Sequence, residues 1–333
     1  MSLRSIAKIV TSKQKTEGSG AIVHRSMGIY GQRKYNPFLL FDHFIGANNH
    51  GFPAHPHQGH ETITYVLNGA VAHEDFTGAK GMLYKGDLQF MTAGKGIMHS
   101  EMPVSKDDES TTVGLQLWVD LPEGKRNIEP NYRDLREWEI PEVIADDGKV
   151  TVKVISGKSH GIESIKQLAY IPIDYFHYKI KPGGQFKQEL RSDFNYFLYV
   201  IRGTTLELND NTTAEQYQNV YFEETGDFVI GKNVSTKPDE EVEFAIIGGK
   251  KLDQDVYVFG TFAADTEENM KCGFQDFKNQ RNGFEKIKTW KSLISKGVTQ
   301  EMIDGPLNGN LELREKNKND YLKSVETREN ILV

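Results

Sequence analysis

The sequence predicts an all-β chain: two copies of one small β-barrel, followed by a C-terminal α-helix. Three observations carry this. Short runs of β-branched and aromatic residues recur over roughly the first 250 positions, a Gly-bearing turn separates them every dozen or so residues, and one strand-and-turn pattern occurs twice. Such spacing indicates sandwiches or barrels rather than a parallel α/β sheet.

Ile63-Thr64-Tyr65-Val66-Leu67 reads as a strand that stops at Asn68-Gly69, a strong turn dipeptide. Gly114 to Asp120 alternates with period two, and Val150 to Ile155 does the same before Ser156-Gly157. The repeat pairs Tyr65-Val66-Leu67-Asn68-Gly69, followed 17 residues later by Gly86-Asp87, with Tyr199-Val200-Ile201-Arg202-Gly203, followed after 23 by Gly226-Asp227. The Pro- and Gly-rich stretch from Pro122 to Asp147 is the expected join, giving a first barrel over 1–130 and a second over 131–262.

After Phe262 the pattern changes. Asp265-Thr266-Glu267-Glu268 resembles a helix N-cap with an acidic partner; Met270, Phe274 and Phe277 then follow at helical spacing, and Asn282-Gly283 reads as a stop. One amphipathic helix is expected within 263–292, with Cys272 packed as an inert thiol. Residues 293–333 are polar and mixed in charge, with a weak helical period from Leu313 to Leu322, and are expected to form a loosely ordered or surface-docked tail.

The 333 residues carry a net charge of −7. An acidic chain gains little from the counterion release that drives binding to nucleic-acid backbones, so direct nucleic-acid binding is not expected. The single cysteine excludes intrachain disulfides and cysteine zinc sites and fits a reducing compartment. The N-terminal residues show no apolar signal region, and no apolar run reaches ~18 residues, so an intracellular protein without a membrane helix is expected. The glycosylation patterns at Asn211 and Asn233 are read as chance matches.

The chemistry concentrates in His55-Pro56-His57 and His99-Ser100-Glu101. Ligand-type side chains at i and i+2 share one face of a strand. Two such strands facing each other in a barrel would bring three imidazoles and one carboxylate to one point, a set suited to a divalent first-row transition metal. An ion preferring six ligands keeps positions open there. Offsets from Tyr199 matching those of His55 and His57 from Tyr65 give Glu189 and Arg191, and after His99 only His160 and His177 remain, so the second barrel is expected to be structural. His24, His43, His50, His73 and His177 are read as solvated or hydrogen-bonded rather than ligating.

The runs His55 to Thr62, Ala72 to Phe76, Gly86 to Pro103 and Gly114 to Val119 resemble the pirin family, two-domain members of the cupin superfamily; Asn282 to Ser292 resembles the end of eukaryotic pirins. The resemblance implies two cupin barrels stacked face to face, with one metal, usually iron as Fe(II) and with Cu, Mn, Ni or Zn as alternatives, in the first barrel. It implies the ligands His55, His57, His99 and Glu101, with Glu101 also the proton acceptor. A generic cupin would take its carboxylate from Glu61, which is read here as a hydrogen-bond partner or rim charge. Gln58 and His60 depart from the Arg and Phe of many pirins; on the opposite strand parity, they are expected to stay clear of the metal.

Two functions follow from the resemblance. One is quercetin 2,3-dioxygenase-type ring opening of a small planar aromatic substrate by oxygen, with Phe41, Phe44, Phe52 and Phe90 either lining the pocket or, equally, filling the core. The alternative is a cytoplasmic or nuclear cofactor that binds transcription-regulator proteins, with iron as a structural or redox-sensing element. A monomer is expected in either case.

Overall fold

The computed structural model describes residues 1–46, 50–104, 111–164, 168–209 and 211–331. Strands dominate, arranged as two barrels of one large and one small antiparallel sheet each. In the first barrel the large sheet runs in the order Asn131–Leu135, Leu88–Thr92, His60–Asn68, Thr112–Asp120, Phe38–Gly46, Ala21–Met27, Lys13–Glu17. Its small sheet runs Phe52–His57, Ile97–Val104, Ala70–Asp75, Lys80–Tyr84. The second barrel repeats the plan, with Phe194–Arg202 between Gln218–Phe222 and Val242–Lys250.

The alternating residues of the large sheets determine how the barrels stack. Phe41, Tyr65, Phe90, Leu115 and Leu117 from the first meet Tyr175, Phe197, Tyr199 and Ile247 from the second in one buried cluster. Phe41 and Phe90 therefore belong to the inter-barrel core and do not line a pocket, as the sequence had suggested. The inside of the second barrel is filled by side chains including Phe176, Tyr178, Phe186 and Phe244.

The barrels exchange strands, which corrects the 1–130 and 131–262 boundaries. Ile6–Thr11 pairs with Gln218–Phe222 and is an edge of the second barrel. Arg4, fully buried, anchors it by donating to the carbonyl oxygens of Gly226, Phe194 and Arg191 at 2.9, 3.0 and 2.9 Å. Conversely Asn131–Leu135 pairs with Leu88–Thr92 of the first barrel, and the second resumes at Glu142–Ala145. Strand propensity shows that a segment pairs, but nothing local names its partner.

The duplication holds at Tyr65 and Tyr199, but the Gly-Asp turns are not equivalent. Gly86-Asp87 precedes Leu88–Thr92, the partner of His60–Asn68. Gly226-Asp227 comes after Gln218–Phe222, the corresponding partner, and so sits one strand later.

Helix α1 (Glu267–Asn279) begins where Thr266 Oγ1 accepts from Asn269 N at 3.0 Å and ends at Gln280, in a left-handed conformation, two residues before the predicted stop. Met270, Phe274 and Phe277 pack it on Phe262 and Phe284. At 100° per residue Cys272 points away from that stripe; it is exposed, not packed as expected. The following segment carries α2 (Gln300–Asp304) and α3 (Leu311–Ile331) and is docked on the first barrel as far as Lys318, which pairs with Glu137 at 3.0 Å. Ile294, Ile303 and Leu307 are buried on Ala70, Ala72, Met82 and Met102 of the first barrel. Arg314 reaches the fully buried Asp87 at 2.7 and 2.9 Å, its guanidinium between the rings of Tyr84 and Trp138. The polar composition of the tail concealed these few anchors.

Candidate metal centre

Phe52–His57 and Ile97–Val104 pair antiparallel, with His55 opposite His99 and His57 opposite Ile97. The register shifts between His99 and Glu101, which falls opposite Phe52. Such a bulge bends a strand and re-aims its side chains. One ring nitrogen each of His55, His57 and His99 lies within 4.8 Å of the others, which is the one such cluster among the described residues.

Hydrogen bonds assign the tautomers. His55 Nδ1 lies 2.8 Å from the Pro53 carbonyl oxygen, which can only accept, so Nε2 keeps its lone pair. His60 Nδ1 likewise donates to the Gln58 carbonyl at 3.0 Å, leaving His60 Nε2 to accept from His57 Nδ1 at 3.1 Å. His57 Nε2 is then an unprotonated lone pair, buried, with no hydrogen-bond partner among the described residues. His99 Nε2 stands 3.0 Å from His55 Nε2. That matches two nitrogens bound side by side on one ion at ~2.1 Å each. Burial, and then the neighbouring imidazoles, hold His57 and His99 well below the ordinary histidine range, so both are neutral, the ligating form. The residues fit a transition-metal ion.

The Glu101 carboxylate stands at the edge of the triad, with Oε2 3.9 Å from His99 Nε2. Thr64 Oγ1 lies 3.0 Å from its Oε1, and Gln116 Nε2 3.4 Å from its Oε2. Burial pushes this carboxyl up to about 7, against the pull of those two partners.

Strand parity failed for the next residues because Gln58-Gly59 makes a turn, with Gly59 at φ +79 and pressed against Ala263. His60, expected clear of the metal, contacts His57, and Trp118 packs on both rings with centroids 4.8 and 5.1 Å away. Glu61 turns the opposite way. Its carboxylate is fully buried in an ion pair with Arg133 and accepts from Thr92 Oγ1 at 2.9 Å and Tyr170 N at 3.0 Å. Gln58 donates to the Lys95 carbonyl at 2.8 Å and lies against Gly273 beneath α1.

His55, His57 and Glu101 open onto a cleft of about 770 Å³, walled by Phe44, Phe52 and Trp118, with Arg25 and Asp42 also lining it. Arg25 and Asp42 form a two-pronged ion pair at 2.7 and 2.6 Å. Sequence reasoning singled out Phe44 and Phe52 but missed Trp118, Gln116 and Thr64. Period-two alternation along Thr112–Asp120 and His60–Asn68 puts these three on the inward face, and that signal was available.

In the second barrel the inward pairs are Phe186–Gly231 and Gln188–Val229, the counterparts of His55–His99 and His57–Ile97. Glu189 is exposed and Arg191 pairs with Asp174 at 3.3 Å, so neither is the counterpart that fixed offsets suggested. Gln188 precedes Tyr199 by eleven residues where His57 precedes Tyr65 by eight, which displaces the count. The other histidines go elsewhere: His24 stacks on Tyr217, His43 meets Tyr199, His73 meets Gln89, and His177 meets Tyr65 and Glu243.

Fold and site together define a two-barrel cupin protein whose first barrel carries a three-histidine cluster able to hold a metal. The family model of pirin matches residues 20–119, and that of the pirin C-terminal cupin domain matches 175–283. Human pirin is 40% identical over 88% of this chain and 99% of its own length. The chain belongs to the pirin family. Among solved structures, a quercetin 2,3-dioxygenase from Acinetobacter baumannii superposes with a TM-score of 0.76 at 22% identity, over 85% of this chain and 99% of that one. A bacterial pirin, YhhW from Escherichia coli in complex with nickel(II), gives 0.56 at 18% identity, over 74% and 99%. At these identities the two structures speak for the fold.

Proposed function

We propose that this protein is a metal-dependent dioxygenase of the quercetin 2,3-dioxygenase type, acting on a small planar aromatic substrate with an acidic enol or phenol hydroxyl. The ion, Fe(II) in the first instance, would be held by Nε2 of His55, His57 and His99 and by Glu101. When bound, it supplies a Lewis acid and a meeting place for oxygen and substrate.

The residues of the chain do the rest. Phe44, Phe52 and Trp118 offer flat apolar walls to an aromatic ring. Pro53 and His60 hold the His55 and His57 rings in the ligating tautomer. The Glu101 carboxylate, which lines the cleft, accepts the substrate's hydroxyl proton. One observation carries this reading: His57 Nε2, without a partner among the described residues, stands together with the His55 and His99 rings at the edge of an aromatic cleft.

The test is iron-loaded protein mixed with quercetin in air. Loss of the flavonol absorbance with oxygen uptake is expected. Protein that holds iron yet leaves quercetin and related enols untouched would overturn the enzymatic reading and favour a role in binding transcription regulators.

A further inference from the structure

The bulge between His99 and Glu101 leaves Ser100 opposite two residues, Pro53 and Ala54. Its outer side is not bare. Ser295, from the segment after α1, accepts from Ala54 N at 2.8 Å and lies 2.9 Å from Ser100 Oγ. Ser100 Oγ is 3.0 Å from Ser292 Oγ, which donates to Glu74 Oε1 at 2.6 Å. Glu74 belongs to Ala70–Asp75, the next strand of the same sheet, and also accepts from Ile294 N at 3.0 Å.

Donor bookkeeping fixes every direction in this chain. The carboxylate only accepts, so the Ser292 hydrogen goes to Glu74. Ser292 Oγ therefore accepts from Ser100, which in turn accepts from Ser295, whose oxygen accepts the Ala54 amide hydrogen. The run Ala54 N–H, Ser295, Ser100, Ser292, Glu74 crosses three adjacent strands with each hydroxyl used once as a donor. Chains aligned this way reinforce one another. Ile294, fully buried, anchors the segment beside it.

We propose that Ser295 is a positioning residue for the metal centre. It ties Ala54, next to His55, to Ser100, between His99 and Glu101, and so fixes the spacing of the two ligand-bearing strands at the bulge that aims Glu101. The proposal rests on the metal reading above. The ligand geometry then depends on a segment roughly 190 to 240 residues downstream of the ligands, on the outer face of the barrel.

Co(II) serves as the probe, bound to full-length protein, with its visible spectrum reporting coordination and its release into excess chelator reporting retention. Ser295→Ala is expected to release Co(II) ~10–100-fold faster, the range typical of losing an outer partner of a ligand, and to shift the spectrum. Ser295→Thr, which keeps the hydroxyl, restores both. Arg314→Ala loosens the same tail at Asp87, away from the ligand strands; it lowers Tm while leaving release and spectrum as in the wild type. If Ser295→Ala does not fold, Ser292→Ala cuts the chain at its other end and is expected to move both readouts the same way. Wild-type release and spectrum in the serine variants, or equally fast release from Arg314→Ala, would overturn the positioning role. Wild-type protein that takes up no Co(II) would instead overturn the metal reading itself.

Discussion

The Tyr65 hydroxyl, in the first barrel, lies 2.8 Å from Nδ1 of His177, in the second. Tyr199 and His43 repeat the contact in the reverse sense at 3.2 Å. Tyr65 and Tyr199 occupy matching strand positions, as do His43 and His177. The barrel interface is therefore self-complementary, as between two subunits related by a two-fold axis, except that one chain supplies both halves. Only His177 has a carboxylate behind it: its Nε2 donates to Glu243 Oε1 at 2.8 Å.

That asymmetry gives a pH-dependent stability. Burial alone would raise the Glu243 carboxyl, but the hydrogen bond from His177 and the charges of Lys179 and Arg202 bring it from 4.5 down to about 2, while burial keeps His177 itself below its ordinary range. A carboxyl depressed in the folded state adds stability above its unfolded pKa, and that stability is lost as pH falls toward the folded value. Glu243→Gln is expected to cost about 1–2 kcal/mol at pH 7, a deficit that shrinks between roughly pH 4.5 and 2. Urea unfolding across that range checks it; a deficit independent of pH would contradict the ion-pair account.

His57→Ala removes a buried ring nitrogen that has no hydrogen-bond partner among the described residues. Metal affinity should fall by more than the ~10–100-fold typical of losing an outer partner, because a direct ligand is lost. Elemental analysis after dialysis reads this directly, and unchanged occupancy would reject His57 as a ligand.

The two candidate carboxylates can be ranked. Glu101→Gln should weaken metal retention and abolish flavonol turnover. Glu61→Gln should act on stability instead, costing about 3 kcal/mol, because it leaves the partly buried Arg133 without its charge. Metal content and melting temperature of both variants separate the effects, and the reverse ranking would restore the generic cupin arrangement.

His60→Phe installs the residue many pirins carry. His57 Nδ1 then loses its acceptor, and metal affinity is expected to drop ~10–100-fold with little loss of fold, since Phe can still pack on Trp118. Chelator competition is the readout; wild-type affinity would mean that His60 does not orient His57.

What could be read from the sequence was what is local. His55, His57 and His99 were legible because i, i+2 spacing on a strand survives any tertiary arrangement. His60, expected to stay clear of the site, meets His57, and Glu61 points away from it, because one turn at Gln58-Gly59 reverses which parity faces inward. Glu189 and Arg191 were misplaced because three more residues separate Gln188 from Tyr199 than His57 from Tyr65, which no fixed offset can detect. Phe41 and Phe90 differ from Phe44 and Phe52 only in which side of a sheet they occupy, and that depends on a second barrel stacked against the first.

The exchange of the first strand has a consequence for how the chain comes to be folded at all. Ile6–Thr11 leaves the ribosome first, but its partner Gln218–Phe222 is made some 200 residues later. At synthesis rates of about 5–20 residues per second, that edge waits roughly 10–40 s with its amides unpaired. The first barrel can form around it in the meantime, but the second cannot close until its oldest strand is recovered across the finished one. Cutting the chain near residue 130 would therefore separate no two domains: it would leave Ile6–Thr11 of the second barrel in one half and Asn131–Leu135 of the first in the other.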